Sequence, residues 1–362
     1  MTIFLFLIFL ILLLAIILYD SNYKNKKLYS RVYLCITFIS LLIVSGCRGL
    51  SIGTDTNMYV RAFNAVKSIQ DMFVYYVDRF EVGYRFFNVM IKQLSDNPHL
   101  LLFFSSVLIL LMTYYFFYKE SKYPWMSLLM FVGLMYYSNS MCLLRQYLAI
   151  GFVFLAIVCL EKQKRFKFLG LVILASLFHS SAIITILLYP LMKIEITNSN
   201  RRIIIAVALI STLFANQLIN LVIRIVPKYT SYLTSDKYYL ENQIGTILKA
   251  ILQFLFFVFV NYSYKRNYEN NKSSILKIGY YCSLLSCVIS FVSINGAILD
   301  RMAVYFSIIN CITIPNMIFT FKSINNRRLF VVILIIICLS YYIIILVYRP
   351  YWSGIIPYVF WE

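Results

Sequence analysis

The chain is short of the residues that soluble and metal-dependent enzymes rely on. Only 13% of its 362 residues are charged and only 14 are acidic, against 62% hydrophobic residues and a mean hydropathy of +0.80. That is too little polar surface to cover a soluble globule. It has two histidines, His99 and His179, neither at ligand spacing, and eight cysteines, mostly inside apolar runs, with no CxxC pair. Nothing here implies a structural zinc, and no metal or other cofactor is expected. A Walker phosphate loop, a dinucleotide fingerprint and a DxD motif are absent as well, which removes the usual means of holding a nucleotide or a nucleotide sugar.

What is present is a series of apolar runs. A bilayer core of roughly 30 Å takes about 20 apolar residues in a helix. Runs of this kind fall at residues 3–18, 32–46, 99–118, 125–138, 142–160, 168–191, 203–225, 247–263, 275–293, 302–320 and 329–347. The first has no basic residue before it and no small-residue cleavage pattern after it, so it reads as a retained span. The expected fold is an all-α polytopic membrane protein of roughly 11–12 passes, one integral membrane domain over residues 1–362.

The net charge of +19 raises nucleic acid as a partner, but its placement argues for membrane orientation instead. Lys and Arg collect in short connectors, as cytoplasmic loops do. Lys24, Lys26, Lys27 and Arg31 put the first connector inside, which leaves the segment 47–98 outside. Lys119 and Lys122 then fall inside, Asn139 outside, and Lys162, Lys164, Arg165 and Lys167 inside again. A single pass over 168–191 would put Lys193, Arg201, Arg202, Lys265 and Arg266 on the wrong side. A broken helical hairpin over 168–192, its arms meeting at Phe178, His179 and Ser180 near the outer face, restores the pattern. One continuous helix with a buried histidine is the alternative.

Segment 47–98 is too long for a plain connector. Tyr59, Ala62, Phe63, Val66, Ile69 and Phe73 recur at helical intervals, as do Tyr84, Phe87, Ile91 and Leu94, and predict interfacial helices. The same segment carries Arg48, Asp55, Asp78, Arg79, Glu81 and Arg85, and a polar turn at Gly53, Thr54, Asp55 and Thr56. Polar groups also interrupt apolar runs at Arg145 with Gln146, at His179 with Ser180, and at Asp300 with Arg301. Charge at membrane depth is costly and usually faces a cavity, so each is a candidate for function. Each also has a plainer reading: Arg145 snorkelling, His179 satisfied in a core, Asp300 pairing with Arg301. Several guanidinium groups with one imidazole suit a diphosphate, which arginine's planar fork grips in bidentate fashion.

The strings Arg48-Gly49, Gly53-Thr54-Asp55-Thr56 with Tyr59, Glu81-Val82-Gly83-Tyr84, Leu144-Arg145-Gln146-Tyr147, Phe178-His179-Ser180-Ser181 and Asp300-Arg301 with Tyr305 resemble, in this order, the EpsG-like polysaccharide polymerases, which are Wzy-type enzymes. The resemblance implies a helical fold of the type C glycosyltransferase kind in the bacterial plasma membrane, with its active site facing outward. It implies joining of undecaprenyl-diphosphate-linked oligosaccharide units in O-antigen, capsule or exopolysaccharide synthesis. The partners implied are those donors and acceptors, the lipid bilayer, and a chain-length regulator and flippase of the same pathway, with no nucleic acid. On that resemblance His179, Arg145, Asp55 and Glu81 are the catalytic candidates. Arg48, Arg301, Gln146, Tyr59, Asp300 and Tyr305 are the substrate-binding ones.

Two other classes fit part of the pattern. A flippase for the same lipid-linked unit would also need intramembrane Arg and His, but no second copy of the 139–190 region is found, as an inverted repeat would require. An O-antigen ligase would differ mainly in its acceptor. The hairpin topology is tested by cysteines placed at Ser199 and Asn270: both should resist an impermeant thiol reagent added from outside, and labelling there would favour the single pass.

Overall fold

Backbone amides in lipid have no water to bond, so an apolar chain of this length satisfies them within helices. The computed structural model describes residues 1–18, 26–214, 217, 236–266, 273–295, 299–350 and 352–361. Part of the first basic connector, the end of the 203–225 run and Asn270 lie outside the described residues. Those described make an all-α polytopic membrane protein whose only β pairing is an isolated bridge between Arg48 and Phe360. Seven of its helices are long and apolar enough to cross a bilayer, and Thr2–Leu18, Pro124–Gly133 and Ser180–Leu191 are shorter apolar segments.

The chain divides into two compact units. The first, Met1–Ile183 with Arg328–Glu362, contains α1 (Thr2–Leu18), α2 (Lys26–Gly46), α3 (Thr56–Ala65), α4 (Val82–Leu94), α5 (Pro98–Glu120), α6 (Pro124–Gly133), α7 (Tyr136–Cys142), α8 (Leu144–Glu161) and α9 (Arg165–Phe178). In this unit α8 packs on α5 and α9, and α2 on α1 and α5. Phe116 of α5 and Phe154 of α8 stack at 4.5 Å between ring centres. Buried hydroxyls turn back on their own helices, as Thr37 does to the Tyr33 carbonyl at 2.8 Å and Thr113 to that of Ile109 at 2.8 Å, so that little polarity is left to face lipid. Outward faces are apolar: on α1, Phe6, Phe9 and Ile16 are exposed.

The second unit, Ile184–Arg327, contains α10 (Leu188–Leu191), α11 (Asn198–Leu213), α12 (Asp236–Arg266), α13 (Ser274–Val292), α14 (Asp300–Ser307) and α15 (Asn310–Ile318); α16 (Ile324–Tyr348) runs from its end into the first unit. Within it, Gln253 of α12 accepts hydrogen bonds from Asn310 Nδ2 at 2.9 Å and Ser286 Oγ at 3.2 Å, tying α12, α13 and α15 through buried polar groups.

Two local departures from helical periodicity bear on function. The stripe from Tyr59 to Phe73 does not run on as one helix. Asp71 Oδ2 accepts the backbone N–H groups of Lys67 at 2.8 Å and Ser68 at 2.7 Å, closing a turn that ends α3 and leaves Ile69 and Phe73 exposed. A continuous helix over 168–191 does not form either. It stops at Phe178, His179 takes extended backbone (φ −154°, ψ 113°), and a 3-10 segment Ser180–Leu187 follows. The reason is a tertiary contact: the Ser180 N–H donates to a side-chain oxygen of Glu81, at 3.1 Å, and not to the carbonyl one turn back.

Close packing constrains the approach of two helices in the first unit. A Cβ at Gly133 of α6 would lie 2.8 Å from Cys338 Cβ and 3.2 Å from its carbonyl oxygen on α16, so α6 approaches that helix only with glycine there. Gly133→Val should destabilise the purified protein by about 1–3 kcal/mol through overpacking, read as a lower thermal midpoint in detergent.

Candidate functional site

Glu81 sits at the start of α4 in extended backbone (ψ 151°), and its carboxylate does not cap its own helix. It reaches across to two other elements. Oε2 accepts from Arg145 Nη1, at the first turn of α8, at 2.5 Å. Oε1 lies 3.4 Å from His179 Nδ1 and accepts from the Ser180 backbone N–H at 3.1 Å and its hydroxyl at 3.2 Å. One carboxylate thus joins the N-terminus of α4, the N-terminus of α8 and the break after α9. Its partners are mostly shielded: the side chains of Arg145, Glu81 and His179 are 13, 12 and 14% exposed.

Burial pushes the Glu81 carboxyl upward, but the His179 hydrogen bond, the Arg145 and His179 charges and the Ser180 N–H outweigh it and hold it well below the usual carboxylate range. Glu81 is therefore an anion at neutral pH and an acceptor only, so the His179 nitrogen that faces it carries the proton.

Packing places these groups. A Cβ at Gly83 would lie 2.7 Å from the Leu177 carbonyl oxygen, so α4 meets the end of α9 because this position has no side chain. Phe178 packs against Phe87 of α4 and Phe152 of α8, with ring centres 6.5 and 5.1 Å away. Phe80 carries the Arg145 guanidinium over its ring at 4.6 Å. Around Phe80 stand Tyr59 at 5.8 Å, Tyr76 at 5.4 Å and Tyr84 at 5.4 Å. Tyr76 holds a left-handed backbone (φ 56°), a strained conformation that brings its ring parallel to Phe80. Arg145 Nη1 also donates to the Arg79 carbonyl at 3.2 Å, while its buried Nε has no hydrogen-bond acceptor. The guanidinium is thus held by Glu81, by the Arg79 carbonyl and by the Tyr59 side chain, with its enclosed Nε left over.

The remaining sequence candidates fall elsewhere. Gln146, next to Arg145, is buried in α8, and Tyr59 is buried in the aromatic cluster. Asp55 is half-buried one turn before Tyr59 on α3. Arg48, expected at the diphosphate, is wholly enclosed and spends its guanidinium on the carbonyls of Ser45 and Met141 and on Ser106 Oγ. Burial draws its pKa down to about 10, so it keeps its charge among those oxygens. Its observed contacts hold the turn after α2. Asp300, Arg301 and Tyr305 belong to the second unit. There Asp300 pairs with Lys249 of α12, and Tyr305 is buried.

Sequence reasoning passed over Phe80, Tyr76, Lys249 and the role of Gly83. Lys249 had a visible signal, a lone charge within the apolar run 247–263. Phe80 and Tyr76 had none, because a stacking aromatic and an anchoring one look alike in sequence.

Among the described residues no group of His, Cys, Asp and Glu could hold a metal ion. What the site offers is a fixed anion, a guanidinium held in place over an aromatic ring, and an imidazole in a set tautomer. That equipment can meet negative charge and move one proton.

Glu81→Gln leaves Arg145 mostly shielded and without its anion, so it should cost about 3 kcal/mol or more. Because the folded carboxyl is held below its unfolded value of about 4.3, its contribution is complete above that pH and fades as pH falls towards the folded value. Thermal midpoints of wild type and Glu81→Gln should differ most at pH 6–7 and converge in acid; an unchanging gap would show that the charge is not what matters.

The model of the EpsG family matches residues 31–360 of the chain. No curated protein and no solved structure matches it.

Proposed function

Since the chain belongs to the EpsG family, a membership that supports a role of the polysaccharide-polymerase type, we propose that it joins oligosaccharide repeat units carried on undecaprenyl diphosphate at the outer face of the bacterial plasma membrane. The observation that carries this reading is the Glu81 carboxylate holding Arg145 and His179 side by side, with Arg145 laid on Phe80.

The chemistry follows from these groups. A hydroxyl at the non-reducing end of one lipid-linked unit attacks the anomeric carbon of the reducing-end sugar on another. The new C–O bond forms as the bond to diphosphate breaks, with inversion, and undecaprenyl diphosphate leaves. Arg145 meets the negative charge that grows on the departing diphosphate, an interaction stronger in the transition state than before it. His179, its Nδ1–H fixed on Glu81, takes the hydroxyl proton at its other ring nitrogen. Glu81 orients both and stabilises the imidazolium that results. Asp55, Tyr59 and Gln146 are assigned supporting roles around Arg145 and the substrate on the family resemblance. Asp300, Arg301 and Tyr305 are assigned to a substrate role on the family resemblance. No nucleotide sugar enters, in keeping with the missing phosphate loops and DxD motif.

Arg145→Ala and His179→Ala should each abolish long-chain polymer, by at least 100-fold for loss of a charge-stabilising or proton-transfer group, while single repeat units still reach the cell surface. Units trapped inside the cell would instead point to a flippase, and normal polymer in both variants would overturn the site.

A further inference from the structure

A segment far from Glu81 in sequence is knitted into the support of Arg145. Residues 352–361, beyond α16, run back over the ends of α2 and α7. Trp361 N donates to the Cys47 carbonyl at 2.7 Å, and the Val359 carbonyl accepts from Gly49 N at 2.9 Å. The Gly354 carbonyl accepts from Gly53 N at 2.8 Å. The Tyr358 hydroxyl bonds to the Val44 carbonyl, and Trp361 stacks on His99 at the start of α5 with ring centres 4.4 Å apart and planes 5° from parallel. The most consequential contacts are to α7. Ser353 Oγ donates to Asn139 Oδ1 at 3.0 Å, and Cys142 Sγ donates to the Ser353 carbonyl.

These contacts matter because of what α7 is. It is seven residues long and irregular at both ends, with Met135 in left-handed backbone (φ 66°) before it and Leu143 in non-helical backbone (φ −104°, ψ 55°) after it. Arg145 follows Leu143 by two residues. So short a helix, broken from α6 and α8 by irregular residues and anchored at its start by the Tyr137 hydroxyl on the Leu41 carbonyl at 2.7 Å, takes the direction of its C-terminal end from whatever holds that end. Three groups do so: Ser353 at Asn139 and Cys142, Arg48 Nη2 at the Met141 carbonyl at 3.3 Å, and Gly53, where a Cβ would come within 2.8 Å of that same carbonyl. The turn at 48–56 is itself clamped by the strap. Gly354 (φ 59°) lies so close to it that a Cβ would stand 2.9 Å from Thr54 N.

We infer that the segment 352–361, acting through Ser353 on the end of α7, is a positioning strap that sets Arg145 of the α8 first turn against the departing diphosphate. This rests on the role proposed above for Arg145. Ser353 is a positioning residue: it acts through α7 and touches no substrate. Its loss should misplace the guanidinium rather than unfold the protein, and a shift on the order of 1 Å at a reacting centre can cost up to about 100-fold in rate.

The test uses full-length protein purified into proteoliposomes with lipid-linked repeat units, comparing wild type, Ser353→Ala, Asn139→Ala, the double variant and Arg145→Ala. Rates are expressed per folded molecule. The strap predicts that kcat falls about ten-fold in each of the Ser353 and Asn139 variants, that KM stays within about two-fold, and that the double variant is no worse than the poorer single one, as coupled residues require. Hydrogen exchange in peptides covering 139–147 supplies a readout independent of turnover, and should be faster in Ser353→Ala and in a chain lacking residues 350–362. If Arg145→Ala loses turnover while Ser353→Ala keeps kcat within two-fold and leaves exchange unchanged, the strap is overturned and the proposed reaction stands. If Arg145→Ala retains turnover, the proposed reaction site falls, and faster exchange would still identify the strap as the restraint on α7.

Discussion

The structure around the candidate site depends on one anion. Glu81 is the point at which three separate stretches of chain, the loop before α4, the start of α8 and the break after α9, have their charges and amide dipoles satisfied together. Removing a carboxylate from water is costly, and only partners already in place offset that cost. Ser180 N–H, Ser180 Oγ, His179 and Arg145 supply them, each from a backbone position set by packing: Gly83 against Leu177, Phe178 against Phe87 and Phe152, Arg145 over Phe80. The electrostatics need the packing, and the packing brings like elements together only because the carboxylate is shared.

Fold class was legible because lipid leaves few choices. A run of apolar residues without internal breaks has to be a helix, and Pro98 and Pro124 mark where two of the helices begin. Boundaries were less legible where side chains compete with the backbone. Asp71 ends one helical stripe and Glu81 ends another, yet neither effect can be read from spacing, since one depends on a turn and the other on a residue 99 positions away. Arg48 shows a different limit. Its sequence context fits a ligand site as well as a structural one, and only the arrangement of carbonyls around it separates the two.

The site was read in part. Arg145, His179 and Ser180 stood out because polar groups that interrupt apolar runs are expensive, and Glu81 stood out within the mixed-charge set of segment 47–98. Their mutual pairing was not visible, because separations of 64 and 98 residues give no geometric hint. The aromatic cluster beneath Arg145 was hidden for another reason. In a chain with 31 tyrosines and 30 phenylalanines, no single ring announces itself. The second unit's Lys249–Asp300 pair was half seen, Asp300 being flagged and its true partner missed.

The guanidinium of Arg145 lies with one flat face on Phe80 and one edge on Glu81. A cation covered on one face and anchored at Nη1 keeps a fixed plane, so the direction in which its charge is presented is set by the fold and not by rotation of a free side chain. Under the function proposed above, that fixed plane would suit an anion delivered along one line each time, as a tethered one is.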